Sequence, residues 1–344
     1  MMAEISHGSP LMIRRLGALA FAALALVSSP ALAEAPACGG VDLVAKIRAE
    51  RPEAYAVFER DARAVPNAEG LLWRIEAKGA AAPSYLFGTM HTTEKDLVAL
   101  SEPARQALSA AKTVVVEVTN ATGAATQAEI IAYVTANGID FSGGGLEGFD
   151  EAQREEVGRR IAASGLPAAL AASLKPWFLG VTLQVAPCET KRIADGMRTI
   201  DLQVETLARD AGATVVGLES VTEQLDAVAK TPDETARRMI RDLLASQTAS
   251  EDLRATTLQL YRDRRIGWYL AMKGETFGKA LDVTAYADFM ETLVDRRNAV
   301  MAERSQPHIA AGGAFVAVGA LHLPGPKGLV ELYRKAGFTV TRVW

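Results

Sequence analysis

The chain has 344 residues, 49% of them apolar, with 41 acidic and 37 basic side chains and a formal net charge of −4. A chain of this kind can bury a full globular core. The lack of a basic surplus excludes a nucleic-acid partner.

At the start, Arg14 and Arg15 precede the apolar run Leu16 to Val27, and Ala31-Leu32-Ala33 supplies the small-x-small pattern of a cleavage point. The run is too short for a bilayer, which asks for about 20 residues. Residues 1–33 therefore read as a signal peptide. Residues 34–344 read as the mature chain, periplasmic or secreted, with no stable membrane anchor after cleavage. Ala35-Pro36-Ala37-Cys38 matches a lipoprotein box poorly. Cys38 and Cys188 are the only cysteines, and an even pair in an oxidising compartment predicts one disulfide tying the N-terminal segment to the domain.

Val41 to Ala64 has helical periodicity, and Leu71 to Glu76 alternates like a strand. Lys78-Gly79-Ala80 turns it into Tyr85-Leu86-Phe87-Gly88-Thr89-Met90-His91, so the two runs read as a hairpin. Ser101-Glu102-Pro103 marks a helix start, with Ser as cap and Pro in the first turn. The β-branched run Thr113 to Val118 then completes a strand–helix–strand unit with a right-handed crossover. It places Glu117 at the carboxyl end of a strand expected beside the one carrying His91. A carboxylate in so apolar a run needs a partner, either a structural cation or the histidine site.

Residues 124–211 are helical in pattern, broken by Gly143-Gly144-Gly145 and by Pro167, Pro176 and Pro187. They read as an insertion covering the crevice, with Trp177 and Phe178 as packing residues. Asp201 opens a helix ending at Gly212, and Ala213 to Glu219 reads as a third buried strand. Asp201 and Glu219 are candidates for orienting the site, and Glu219 equally for capping the next helix. Residues 232–305 form a second helical insertion, its Arg237, Arg238, Arg241, Asp242 and Arg262 to Arg265 reading as solvated faces. Arg296-Arg297-Asn298 sits on the last long helix, where an inward arginine would bind a carboxylate or oxyanion. His308 reads as exposed, in a Pro-containing loop.

The run Phe315 to Leu321 ends in His322 and repeats the pattern at His91: a short apolar strand, Gly, two residues, His. The chain has only four histidines, so two of them at one offset after two such strands make a pair. In a parallel sheet the reactive crevice lies beyond the carboxyl ends of the strands. Gly88 and Gly319 are expected to turn the backbone sharply there and project each His into the crevice. The final elements are a turn, Pro324 to Gly328, then a helix and a closing strand, Phe338 to Val343. The fold expected is α/β: a central mixed, mainly parallel sheet with flanking helices and a helical cap.

With both motifs in place, the chain from Cys38 to Trp344 resembles the TraB/GumN family, related to the Tiki metalloproteases. Tyr85 to His91 resembles its first motif and Val316 to Gly325 its second. Val115-Val116-Glu117, Gly217-Leu218-Glu219-Ser220 and Arg297-Asn298 resemble its other segments. The resemblance implies a fold similar to the erythromycin-esterase and ChaN-like group. In the Tiki branch it implies a divalent-metal-dependent protease using both motif histidines and an acidic residue.

Two neutral imidazoles and one carboxylate are also, by chemistry alone, the ligand types of an open catalytic metal site. The expectation is thus a hydrolase, a peptidase first, with Mn, Co or Zn held by His91, Glu117 and His322, and with Arg297 and Asn298 assisting. The substrate would be a peptide or a small acyl compound. The histidines stand about 230 residues apart, and the usual metal signature of two His on one helix is absent. Two alternatives stay open. One is a metal-free esterase or lactonase in which Glu117 orients His91 as general base and His322 stabilises the oxyanion. The other is a non-catalytic haem- or peptide-binding protein.

Overall fold

A computed structural model describes residues 38–246 and 248–344. The signal segment 1–33 and the cleavage point before Glu34 lie outside the described residues. Within the described residues no helix is long and apolar enough to cross a membrane.

Six strands form one mixed sheet: β1 (Leu72–Glu76), β2 (Ser84–Thr89), β3 (Thr113–Val116), β4 (Thr214–Gly217), β5 (Ala314–Gly319) and β6 (Thr339–Arg342). Their order is β4-β3-β5-β2-β1-β6. The four from β4 to β2 run parallel, and β1 is antiparallel to both β2 and β6. The expected hairpin of β1 and β2 is present. The neighbours of β3 differ from expectation, because β5 lies between β3 and β2. The last-made parallel strand therefore stands at the centre, with Glu117 and His91 at the ends of the strands on either side of it.

β5 takes that place because it is apolar on both faces. Phe315 and Ala317 join one core with Leu72, Phe87, Val114 and Val116. Val316 and Val318 join another, on the opposite face, with Ile75, Leu86 and Val115. The period of two splits each strand between the layers, and each fully buried large side chain contributes roughly 1.5–3 kcal/mol. The first layer is covered by the helix Ile200–Asp210, whose Ile200, Val204 and Ala208 follow helical spacing. Although it falls within the stretch 124–211 read as an insertion, this helix packs on the sheet. The second layer is covered by the helices Arg296–Ala311 and Leu329–Lys335.

The cap has a core of its own, built from Ile130, Val134, Ile161, Leu225 and Ile240 around Trp177 and Phe178. Trp177 and Phe178 are thus packing residues. Three further expectations are corrected. β4 is a half-exposed edge strand, so its β-branched residues serve an edge. Ser101 makes no side-chain cap, and the Glu102–Ser109 helix begins on its Pro alone. His308 lies in the last turn of the Arg296–Ala311 helix and is half-buried, because that helix continues through Pro307. Cys38 and Cys188 form the expected disulfide across 150 residues.

Candidate functional site

The two Gly-x-x-His motifs meet at the carboxyl ends of neighbouring strands, with Gly88 opposite Val318 and Thr89 opposite Gly319. The glycines serve a different purpose from the sharp turn expected of them, since neither has a positive φ. A Cβ on Gly88 would lie 2.9 Å from Ala320 Cβ and 3.0 Å from its Cα, so its absence lets the His322 turn pack against β2. A Cβ on Gly319 would lie 3.2 Å from Glu117 Oε1. The reason for glycine at both positions is close approach.

His91 stands at the mouth of the crevice, its side chain 61% exposed. Its Nδ1 is 2.7 Å from Asp201 Oδ2, and the other oxygen of Asp201 accepts from Thr89 Oγ1. Asp201 lies in the first turn of the Ile200–Asp210 helix, where the helix dipole favours its charge. The Asp201 carboxylate raises the His91 pKa to about 9. Burial opposes ionisation of Asp201, but the charge of His91 and hydrogen bonds from His91 and Thr89 outweigh it and hold the carboxyl below its usual range.

Deeper in, Arg297 binds two carboxylates from two strand ends. It donates to Glu219 through Nε at 2.9 Å and Nη2 at 2.7 Å, and to Glu117 Oε2 through Nη2 at 2.8 Å. Glu117 also accepts from the Gly319 N–H at 2.6 Å and from Gln224 Nε2 at 2.9 Å. Burial pushes the Glu117 carboxyl up, but the charges of His322, Arg297 and His91 outweigh it and hold it down. Where His322 is neutral its share falls away, and Arg297, His91 and the Gly319 N–H remain. A five-residue π-helical turn, Glu291–Asp295, leads into this helix, and its Leu293 carbonyl accepts from Arg297 Nη1 at 3.0 Å. Such turns re-aim side chains at functional sites.

His322 is buried. Its Nδ1 is 2.7 Å from Asn298 Oδ1, and Asn298 Nδ2 donates to the Lys327 carbonyl at 2.9 Å, which fixes the amide orientation. Nδ1 therefore carries the proton and Nε2 the lone pair. Nε2 faces Arg297 Nη1 at 3.3 Å and Glu117 Oε1 at 3.9 Å. Burial pushes the His322 pKa down to about 4, Glu117 opposing and Arg297 adding to it.

All seven predicted site residues thus lie at one end of the sheet. Their pairings differ from expectation: Asp201 orients His91, and Glu117 belongs with Arg297 and His322. Glu219 binds Arg297, leaving the following helix to a capping box of Ser220 and Glu223. Thr89 was legible as part of its motif but not as a donor to Asp201. Gln224, on the Val221–Ala229 helix, carries no sequence signal at all.

A divalent ion needs ligand atoms that converge on one point. Among the described residues, the group of three whose ligand atoms lie within 4.8 Å of one another is Cys38, Glu94 and Glu189. Cys38 is locked in the disulfide and offers no thiolate. His91, Glu117 and His322 do not gather that closely: His91 Nδ1 is held by Asp201, and the Arg297 guanidinium faces the His322 lone pair. As arranged, the three do not fit one ion, because a protein cation already occupies the place it would share.

A family model described as TraB/PrgY/gumN matches residues 71–342. No curated protein and no solved structure matches the chain. The matched stretch contains both Gly-x-x-His motifs and every residue of the cluster, and on that match the chain belongs to the TraB/PrgY/gumN family.

Proposed function

We propose that this protein is an acyl hydrolase acting on a peptide or small acyl compound at the mouth of the crevice. One observation carries the reading: two histidines at the ends of adjacent parallel strands sit in opposite environments. His91 is paired with a carboxylate at the rim, while His322 is buried and donates its Nδ1–H to an amide oxygen. Groups whose surroundings push their pKa values apart define an acid and a base. At neutral pH His91 is the proton donor and His322, with the Glu117 carboxylate, the acceptor.

In this scheme water attacks the acyl carbon and loses its proton to Glu117 or, once Arg297 moves off Nε2, to His322. The carbonyl oxygen takes up negative charge near protonated His91, the acyl bond breaks, and His91 protonates the leaving group. Asp201 accepts from His91 Nδ1–H and stabilises the imidazolium, whose other proton sits on Nε2 and is the one given away. Arg297 keeps Glu117 ionised and aimed. This exchanges the roles that the sequence suggested for the two histidines.

A metal-dependent peptidase is the second reading. The observation favouring it is a neutral imidazole and a carboxylate 3.9 Å apart, two ligands of the type that hold Mn, Co or Zn. It requires Arg297 to release His322 Nε2. Both readings are tested by assaying the protein on chromogenic esters and a fluorogenic peptide library, with chelator or with each metal added, beside His91→Ala and His322→Ala. Turnover that survives chelation and falls 10²–10⁴-fold in both variants supports the first reading. Turnover restored only by a metal supports the second. Tight binding of haem or peptide without turnover would sink both.

A further inference from the structure

The chain immediately after His91 is fastened to a buried carboxylate outside the reacting cluster. Glu189, 5% exposed, accepts from Thr92 Oγ1 at 2.8 Å, Thr93 N at 3.1 Å, Thr93 Oγ1 at 2.6 Å and Arg254 Nε at 2.9 Å. Four donors fill the four lone-pair positions of one carboxylate. Three of them come from the two residues that follow His91.

Glu189 belongs to the short helix Pro187–Ala194, and among the described residues none of that helix enters a hydrophobic cluster. An isolated helix of that length does not hold itself in place. What holds it is polar and covalent. Arg192 donates to Glu94 at 2.5 Å, and Arg254 bridges Glu94 and Glu189. Beside Glu189, Cys188 is bonded to Cys38. The Cys38 segment is in turn pinned to the Ala249–Arg262 helix, through Val41 N to Asp252 Oδ1 at 2.7 Å and Leu43 N to Thr256 Oγ1 at 3.0 Å. That same helix carries Arg254.

We infer that Glu189 is a positioning residue for His91, and that the Cys38–Cys188 disulfide keeps Glu189 in place, so that the His91 loop is set only in the oxidised protein. The inference rests on the reading of His91 as part of the reacting centre. A dithiol reverses the clamp: it transfers two electrons and two protons to the disulfide, leaving two cysteine thiols and becoming a disulfide itself. The loop then depends on hydrogen bonds from a helix that, among the described residues, joins no hydrophobic cluster. A chain folded under reducing conditions would carry the cluster with its proton donor misplaced, and oxidation after export would complete it.

The test needs no substrate. The rate at which diethyl pyrocarbonate modifies His91, read by mass spectrometry, is compared with amide hydrogen exchange over residues 90–97. The forms compared are oxidised protein, dithiothreitol-reduced protein, Cys38→Ser, Glu189→Gln, and Thr92→Val with Thr93→Val. Glu189→Gln keeps the shape but turns one acceptor oxygen into a donor amide. Faster modification of His91 and faster exchange of the loop, each severalfold, are expected in all four altered forms, with exchange of the central strand β5 unchanged. His91 rates equal to the oxidised wild type in reduced protein and in Glu189→Gln, with β5 still protected, would overturn the inference. If any variant fails to fold, reduction of the wild-type chain decides. A loosened loop in a protein that hydrolyses no acyl bond in any form would uphold the clamp while removing the proposed function.

Discussion

His322 Nε2 lies 3.3 Å from Arg297 Nη1. Arginine only donates, so this nitrogen must accept, and the ring proton stays on Nδ1, toward Asn298. The neutral state of His322 is therefore imposed from two sides, by a cation at one nitrogen and an amide oxygen at the other. His91 meets the reverse arrangement, with a carboxylate at Nδ1.

Asn298→Asp should erase that difference. A carboxylate at Nδ1 would favour protonated His322 and raise its pKa from about 4 toward or above the ordinary histidine value. The histidine C2–H resonance followed against pH reads this directly. An unmoved His322 titration would show that burial, and not the Asn298 contact, dominates. If His322 is the base, the acid limb of the activity profile moves up by the same amount.

The pH profile of kcat/KM should be a bell. Its acid limb comes from the His322–Glu117 pair, with His322 near 4, and its basic limb from His91 near 9. Stability follows the same two groups. The His91 pKa is raised, so its contribution is complete below 6.5 and is lost as pH rises through about 9. The His322 pKa is lowered, so the unfolded chain binds the extra proton first, and stability falls as pH drops from 6.5 toward 4. Denaturant midpoints across that range should peak near neutrality, and a midpoint that keeps rising below pH 6 would contradict the buried neutral ring.

Arg297→Ala removes the cation shared by two buried carboxylates, whose side chains are 12% and 3% exposed. Leaving such charges unpaired costs about 3–5 kcal/mol. Urea unfolding at pH 7 should show a loss of this size, and it should shrink toward pH 5 as the freed Glu117 carboxylate, which burial pushes up, takes up a proton. An equal loss at both values would place the damage in packing.

Gly88→Ala tests whether the motif glycine serves close approach. The added methyl meets the backbone and Cβ of Ala320, which is rigid, so the His322 turn must move away from β2. Overpacking of this kind costs about 1–3 kcal/mol. The activity loss should exceed what the stability change explains, because the shift separates His322 from His91. A folded Gly88→Ala protein with wild-type kcat would show that the spacing is not critical.

Much of the fold was legible because it depends on local pattern. The short β-branched runs at Val114 to Val116 and Phe315 to Val318 are strands because both faces are apolar. The repeated Gly-x-x-His marked the two strand ends that meet. Strand order was not legible, since β2 and β5 are buried to the same extent and share the central positions, and which neighbour each takes depends on the whole sheet. Nor could a sequence show that β4 would be an edge, a matter of which strand the sheet finishes with.

The sequence by itself determined which residues could do chemistry here: two histidines after matched strands, an acid at each of two further strand ends, and an Arg-Asn pair on the last helix. Only the tertiary structure decided who pairs with whom. Asp201, 110 residues from His91, became its partner, and Glu117 went to Arg297, 180 residues on. The reason is geometric. A hydrogen bond is set within tenths of an ångström by how helices lie across a sheet, and that placement depends on the whole packed core, not on the spacing of the residues that meet.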